Sequence, residues 1–173
     1  MGLRPAKCYR KLERPYTRWS KTKPRKSYVK SVPDIKIHKF QMGDEKKKFT
    51  MKGYLVSRNG VQVRHNALEA ARVTTNRYLD KTVGKENYFL KVLIYPHHIM
   101  RENTLATGAG ADRFQTGMRK SFGKPIGKAA RVKPGQDLIE IRFDASKQGS
   151  AKEALKRASA KFPTTTKMRF ENM

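Results

Sequence analysis

The sequence predicts an α+β domain, in which two main helices cover a mixed, mostly antiparallel β-sheet as a two-layer sandwich. A basic N-terminal arm and a long glycine-rich loop are predicted in addition. Three observations support this: short apolar segments recur along the chain, two segments carry apolar residues at helical spacing, and one glycine-rich stretch lacks apolar periodicity. We expect an arm over residues 1–33 and one domain over residues 34–173, with the loop protruding at about 101–116.

The domain is predicted to begin with strands. Residues 34–40 alternate partly between polar and apolar types, which indicates a strand. Two further strand-like segments, 54–56 and 61–63, flank the dipeptide Asn59-Gly60. Because both turn residues tolerate a positive φ, this arrangement predicts a β-hairpin.

A helix is predicted directly after the hairpin. Asn66 followed by Glu69 is typical of a capped helix start, and Gly84 can end the helix. The residues expected on its buried face recur at helical spacing. They are Leu68, Ala71, Thr75, Tyr78 and Leu79.

Three more strands are predicted in the middle of the chain. Residues 88–95 are apolar except for one lysine, which favours a central strand that ends at Pro96. Residues 131–133 and 138–143 are also strand-like, and a Pro-Gly turn at 134–135 joins them.

The chain is predicted to close with a helix and a strand. Ser150 and Glu153 form a capping-box pattern, and Pro163 stops the helix. The expected buried face consists of Ala151, Ala154, Leu155, Ala158 and Phe162. Residues 164–170 then alternate, which predicts the last strand.

The charge of the chain indicates a polyanionic partner. The 173 residues include 40 Lys or Arg and 14 Asp or Glu, a formal net charge of +26. Such an excess repels itself, and nucleic acid is the usual partner that neutralises it. The longest apolar run, 92–95, is far too short for a membrane span, and no secretory signal is expected behind Arg4 and Lys7. No membrane partner is therefore predicted, although an anionic membrane surface is a formal alternative.

The first 30 residues are predicted to bind RNA. They contain 11 basic residues and one acidic residue, with aromatic residues between the charges. Basic groups can neutralise phosphates, and aromatic rings can stack on exposed bases. The alternative is a disordered arm that only solubilises the chain. The expected RNA contacts in the arm are Arg4, Lys7, Arg10, Arg14, Tyr16, Arg18, Trp19, Lys21, Lys23 and Arg25.

Residues 101–131 are predicted to form a long loop. The segment has five glycines and almost no apolar periodicity, and long loops of this kind are usually functional or disordered. Glycine allows backbone to approach a phosphate closely. We expect Met118 and Phe122 to anchor the base of the loop to the core. A P-loop is not predicted, because Lys124 is followed by Pro125.

No catalytic residue, metal site or cofactor is predicted. His97 and His98 are adjacent, and on extended chain they would point in opposite directions, which makes them a poor metal pair. Cys8 is the single cysteine, so no internal disulfide is possible, and no base is identifiable near it. Two other classes are left open: a general nucleic-acid chaperone or DNA-compacting protein, and an RNA-modifying enzyme, which would need a cofactor pocket.

Several segments resemble the L16p/L10e family of large-subunit ribosomal proteins. The segments are Ala111-Asp112-Arg113, Gly117-Met118-Arg119, Phe122-Gly123-Lys124-Pro125, Gly127 and Ala130-Arg131. Residues 4–10 resemble the N-terminal opening of the family, and residues 61–72 resemble its passage from strands to a helix. The resemblance spans nearly the whole chain in the same order. Because the chain ends soon after its last predicted strand, we expect a member of the archaeal type.

The resemblance implies a structural component of the large ribosomal subunit and not an enzyme. Such a protein would bind large-subunit rRNA near the aminoacyl-tRNA site and help to position tRNA beside the peptidyl transferase centre. The partners expected are this rRNA and tRNA, with 5S rRNA and neighbouring ribosomal proteins as further candidates. We expect one monomer per ribosome, in the cytoplasm.

The resemblance also assigns expected roles to individual residues. The rRNA contacts that it implies outside the arm are Arg119, Lys124, Lys128 and Arg131. Arg64, Arg72 and Arg77 are also expected to contact rRNA, although Arg72 and Arg77 lie off the apolar face of the predicted helix and would face either a phosphate or solvent. The loop residues expected near tRNA are Arg101, Gly108, Gly110, Asp112 and Arg113.

Overall fold

The computed structural model describes residues 3–12, 20, 22–105, 108, 110, 115 and 117–173. The predicted α+β class is confirmed, with eight strands and two α-helices in the described part of the chain. The strands are β1 (Gln41–Gly43), β2 (Met51–Ser57), β3 (Val61–Arg64), β4 (Tyr88–Val92), β5 (His98–Glu102), β6 (Lys124–Val132), β7 (Asp137–Phe143) and β8 (Thr166–Asn172). The helices are α1 (His65–Thr82) and α2 (Gln148–Ser159).

The strands divide between two sheets, where the sequence suggested one. The larger sheet has the strand order β1-β4-β7-β2-β8, and the smaller sheet has the order β3-β6-β5. All pairings among these strands are antiparallel. Helix α1 packs against α2 and the smaller sheet, while α2 packs against the larger sheet. The two helices therefore join both sheets into one core.

The predicted hairpin at Asn59-Gly60 is wrong. β2 pairs with β7 and β8, whereas β3 pairs with β6 in the other sheet. Neither Asn59 nor Gly60 has the positive φ of a tight hairpin turn. The connection between β6 and β7 crosses beside this turn, because Ser57 N–H donates to Gln136 O at 3.0 Å and Gly135 N–H donates to Ser57 O at 2.8 Å. The two connections between the sheets, from β2 to β3 and from β6 to β7, therefore run side by side. Hydrogen bonds between these connections replace the bonds of a hairpin.

The strand predicted over residues 34–40 is also wrong. Ile37 is fully buried, as its apolar side chain requires, but the backbone around it pairs with no strand. The carbonyl of Phe40 accepts a hydrogen bond from Val92 N–H at 2.8 Å, and the ladder to β4 begins only at Gln41. The partial alternation of residues 34–40 therefore reflects the burial of single side chains beside the edge of the sheet, and not a strand.

β4 begins within the predicted segment but ends at Val92, before Pro96. It lies second in its sheet, and β7 holds the central place. β7 is apolar enough for that place, since Leu138, Ile139 and Ile141 are all fully buried.

Both predicted helices are present, but both predicted caps are wrong. α1 begins at His65, so Asn66 lies in its first turn, and α2 begins at Gln148, so Ser150 is a helical residue. No side chain caps either N-terminus. In α1 the reason is that Arg64, the last residue of β3, already occupies the N-cap position with an extended backbone.

The predicted apolar faces form the core between the helices. In α1 the residues Leu68, Ala71, Thr75 and Leu79 are buried and Tyr78 is half-buried. In α2 the residues Ala151, Ala154, Leu155 and Ala158 are buried, and Phe162 is buried just after the helix ends. Gly84 follows α1 with φ +86°, and its N–H donates to Leu79 O, so the predicted helix end is confirmed.

β8 alternates as predicted, with Thr166, Met168 and Phe170 turned inward and Lys167 and Arg169 exposed. Neither helix in the described part of the chain is both long and apolar enough to cross a membrane.

Candidate nucleic-acid interface

The glycine-rich segment is shorter than the sequence suggests, because strands occupy both of its ends. β5 ends at Glu102 and β6 begins at Lys124, so residues 103–123 lie between them. We call this stretch the 103–123 connection. The predicted loop over 101–131 is therefore wrong at both ends. The sequence of β6 shows little apolar periodicity, because its inward positions are small residues such as Gly127.

Arg101, which the sequence placed in the loop, lies in β5 and holds the base of the connection together. Its guanidinium donates to the backbone oxygens of Phe122 at 3.3 Å, Tyr28 at 2.9 Å and Gly123. The same guanidinium lies over the ring of Phe122, 4.2 Å from the ring centroid. We call the group formed by Tyr28, Arg101, Phe122 and Gly123 the neck. Arg101 thus ties three separate segments of the chain to one point.

The backbone at the neck approaches so closely that one position requires glycine. Gly123 has φ +77°, and a Cβ atom there would lie 2.3 Å from the carbonyl carbon of Glu102. Gly123 N–H also donates to Lys120 O at 2.9 Å, and Lys120 itself has φ 62°. Farther out, the side-chain amide of Asn103 donates to Gly117 O at 3.1 Å. The described ends of the connection are therefore fixed by hydrogen bonds.

Glu102, the last residue of β5, connects this neck to the N-terminal arm. Its carboxylate accepts hydrogen bonds from Arg4 Nε at 2.8 Å and from the Tyr9 hydroxyl at 2.6 Å. The Tyr9 bond, followed by the Arg4 bond, lowers the pKa of Glu102, although partial burial opposes this. Burial and the negative carboxylate raise the pKa of Tyr9, so the hydroxyl keeps its proton at neutral pH.

The arm residues before position 12 lie against the smaller sheet. Gln62 N–H donates to Arg10 O at 2.9 Å, and the Gln62 side chain donates to Tyr9 O at 3.1 Å. Arg64 donates to Arg4 O at 2.8 Å, and its guanidinium lies 5.6 Å from the centroid of the Tyr9 ring. These contacts attach the start of the arm to β3, which is an edge strand of the smaller sheet.

The two adjacent histidines have different environments. His97 is exposed and lies against Tyr95, with ring centroids 4.5 Å apart, whereas His98 is buried and its Nδ1 contacts Gln62 Oε1. Burial, and secondarily Arg131, lowers the pKa of His98, which favours its neutral form. No group of three or more His, Cys, Asp or Glu residues that could hold a metal occurs among the described residues.

The predicted rRNA-contacting residues in the described part of the chain fall into two groups. The exposed ones are Arg4, Lys7, Arg10, Lys23, Arg25, Arg77, Arg119, Lys124 and Arg131, and the half-buried ones are Arg64, Arg72 and Lys128. Arg72 forms an ion pair with Glu69 on the same helix. Of the residues predicted near tRNA, Gly108 and Gly110 are exposed. The predicted residues outside the described part are Arg14, Tyr16, Arg18, Trp19, Lys21, Asp112 and Arg113.

Met118 and Phe122 do not anchor the connection to the core, contrary to expectation. Met118 is 69% exposed and Phe122 is 53% exposed. The buried apolar side chains of β5 are Ile99 and Met100, whereas Phe122 lies in the turn before Gly123. Phe122 contacts Arg101 and Tyr28 at the neck.

The sequence does not indicate Glu102 and Gln62 as parts of this site, and it marks Tyr28 only as one of the aromatic residues between the charges of the arm. Each acts through a contact with a residue far away in the chain, which local patterns cannot show. One signal was present: Glu102 is an acidic residue next to Arg101 in a strongly basic segment, and such a residue commonly has a specific cationic partner.

Comparison with known proteins gives a consistent result. The sequence model of the family described as ribosomal protein L16p/L10e matches residues 16–169. The chain is 49% identical over 172 residues to the large ribosomal subunit protein uL16 of Staphylothermus marinus, which covers 99% of this chain and 95% of the relative. Its identity to uL16 of Archaeoglobus fulgidus is 46% over 168 residues, with 97% and 92% covered. For uL16 of Methanococcus maripaludis the identity is 45% over 168 residues, with 97% and 94% covered.

Proposed function

The chain belongs to the ribosomal protein L16p/L10e family, and we propose that it binds large-subunit rRNA near the aminoacyl-tRNA site and helps to position tRNA there. Membership of the family makes it a structural, non-enzymatic component of the large ribosomal subunit. The archaeal type expected from the sequence agrees with its archaeal relatives. The chemistry of peptide transfer then belongs to RNA, and the protein contributes charge and shape.

The neck is the observation that supports the proposal most strongly. Arg101 uses its guanidinium to join three segments, so it fixes the position of the basic residues next to it. Arg119, Lys120 and Lys124 lie beside the neck with exposed side chains. A fixed group of cations lowers the electrostatic cost of bringing tRNA phosphates close to those of rRNA.

A second basic surface supports the proposed binding of rRNA. Lys7 and Arg10 are exposed on the arm, and Arg131 is exposed on β6 of the sheet to which the arm is attached. Lys23 and Arg25 add charge farther along the arm. Basic residues spread over several elements match an RNA surface folded from several helices.

The proposal includes the division into an RNA-binding arm over residues 1–33 and a domain over residues 34–173. The contacts of Tyr9 and Arg10 with Gln62 favour an arm whose start is held on the domain before RNA binds. We place the protein on ribosomes in the cytoplasm as one copy per subunit, with 5S rRNA and neighbouring ribosomal proteins as further contacts.

Two measurements on purified large subunits test the proposal. A protein held by about six to ten phosphate contacts alone loses roughly 10³–10⁵-fold in affinity between about 50 and 200 mM salt. Mass spectrometry after such washes should still find one copy per subunit, because shape complementarity and aromatic stacking add to the electrostatic attraction. Release at low salt would contradict the proposal.

The second measurement concerns tRNA. Subunits with Arg113→Ala and Arg119→Ala should assemble normally but bind aminoacyl-site tRNA more weakly. Lys156→Ala is the matched control, because Lys156 is exposed on α2, away from the neck. Equal tRNA affinity in the double variant and the control would show that the connection has no role in tRNA positioning.

A further inference from the structure

An open groove of about 980 Å³ lies beside the neck. One wall comes from the arm, at Tyr28 and Lys30, and the other comes from the end of the connection and the start of β6, at Lys120, Phe122 and Lys124. Because Arg101 bonds to the backbone of both walls, their spacing is fixed. The groove is therefore a fixed feature of the fold.

Two aromatic rings are exposed in this groove. The side chains of Tyr28 and Phe122 are 49% and 53% exposed, and their ring centroids lie 6.1 Å apart at an interplanar angle of 79°. Ile126 adds a further exposed apolar side chain along the same wall. Large apolar groups gathered at an exposed place indicate a contact surface.

The charges around the rings determine which ligand fits. Lys30, Lys120 and Lys124 are exposed cations that line the groove. The acid in the lining, Glu102, already accepts bonds from Arg4 and Tyr9. The groove thus offers positive charge around aromatic surface, which is the combination that binds single-stranded nucleic acid.

We propose that this groove binds unpaired RNA nucleotides, whose bases stack on Tyr28 and Phe122 while the three lysines neutralise the phosphates. The inference rests on the proposed function in that the ligand is RNA, and it adds which form of RNA the site takes. A duplex would use the lysines, but it keeps the faces of its bases inside the helix and could not use the rings.

Fluorescence anisotropy with the full-length chain tests this, with a short oligoadenylate and a fully paired RNA duplex as probes. Phe122→Ala should lower the affinity for oligoadenylate about tenfold, the effect of losing one stacking ring, and leave duplex affinity unchanged. Phe122→Trp should retain binding. Tyr95→Ala is the matched control, because Tyr95 is 42% exposed but lies outside the groove. It should bind both probes normally.

Each other outcome is equally informative. If Phe122→Ala leaves oligoadenylate affinity unchanged, or lowers the affinities for both probes equally, the groove does not bind unpaired bases. If Phe122→Ala loses its fold by circular dichroism, Tyr28→Ala decides the question by the same criterion. If the natural chain binds the duplex but not oligoadenylate, the proposal for the groove is wrong, whereas the proposed function still holds. Failure to bind either RNA overturns both.

Discussion

The hydroxyl of Tyr9 donates a 2.6 Å hydrogen bond to the carboxylate of Glu102, 93 positions farther along the chain. Glu102 stands at the end of β5, directly before the 103–123 connection. The same carboxylate accepts a bond from Arg4, so one acidic residue joins the N-terminal arm to the base of the connection. In a chain with a net charge of +26, this carboxylate also reduces local repulsion between the two basic segments.

Replacement of Glu102 by Gln should loosen the start of the arm. Tyr9 and Arg4 would lose their charged acceptor, and we expect the free energy of unfolding to fall by about 1 kcal/mol, since hydrogen bonds to charged groups are the stronger ones. Urea denaturation measures the loss, and limited trypsin digestion should cut faster near Lys7. Glu153→Gln is the matched control, because its pair with Arg157 is exposed and such pairs contribute little. Equal effects in the two variants would contradict this role of Glu102.

Acid should release the arm from the smaller sheet. Because the pKa of Glu102 is lowered in the folded protein, its stabilising contribution is complete at neutral pH. The contribution should begin to fall near pH 4, where an unperturbed Glu titrates, and disappear as the pH passes through the lowered folded value. Hydrogen exchange of the Gln62 amide, which is bonded to Arg10 O, reports the release. Protection that is independent of pH in this range, or equally dependent in Glu102→Gln, would exclude this mechanism.

Gly123→Ala should destabilise the neck. The substitution places a methyl group 2.3 Å from the carbonyl carbon of Glu102 and also forces alanine to φ +77°. Gly135→Ala separates the two effects, because Gly135 has φ +76° but no atom lies within 4 Å of a Cβ there. We expect a loss of about 1 kcal/mol for Gly135→Ala from backbone strain alone, and about 3 kcal/mol or more for Gly123→Ala. Similar thermal unfolding of the two variants would show that the close approach at the neck is absent in solution.

Arg101→Lys should open the neck although it keeps the positive charge. An ammonium lacks the planar fork that lets Arg101 donate to three backbone oxygens while it lies over Phe122. We expect a loss of about 1–2 kcal/mol and faster proteolysis within residues 103–123. Arg157→Lys is a suitable control, because Arg157 is an exposed helix residue. Proteolysis at the natural rate in Arg101→Lys would mean that charge alone maintains the neck.

The parts of the fold that the sequence predicted correctly depend on local periodicity. Leu68 and Leu79 on α1 and Ala154 on α2 are buried because each belongs to an apolar face with helical spacing. The hairpin predicted at Asn59-Gly60 does not form, because turn residues alone do not determine whether the flanking strands pair with each other. Those strands find better partners in β6 and β7, which lie far away in the chain.

The sequence predicts the chemical character of the candidate site but not the contacts that build it. Basic and glycine residues marked the 103–123 connection, since charge and backbone freedom are properties of composition. The contacts that build the neck join Arg101 to Tyr28, 73 positions away, and no local pattern encodes such a pairing. Phe122 is predicted to anchor the base of the loop to the core, but it lies at the surface, where the backbone of its neighbour Gly123 is held close to Glu102.

A structure of the large subunit with tRNA in the aminoacyl site, determined by electron cryo-microscopy, would show whether the neck and the connection contact RNA. We expect Lys120 and Lys124 to contact rRNA phosphates, the groove between Tyr28 and Phe122 to hold an unpaired nucleotide, and the 103–123 connection to extend toward the tRNA. A connection that faces solvent or another protein, with no RNA at the neck, would contradict this expectation.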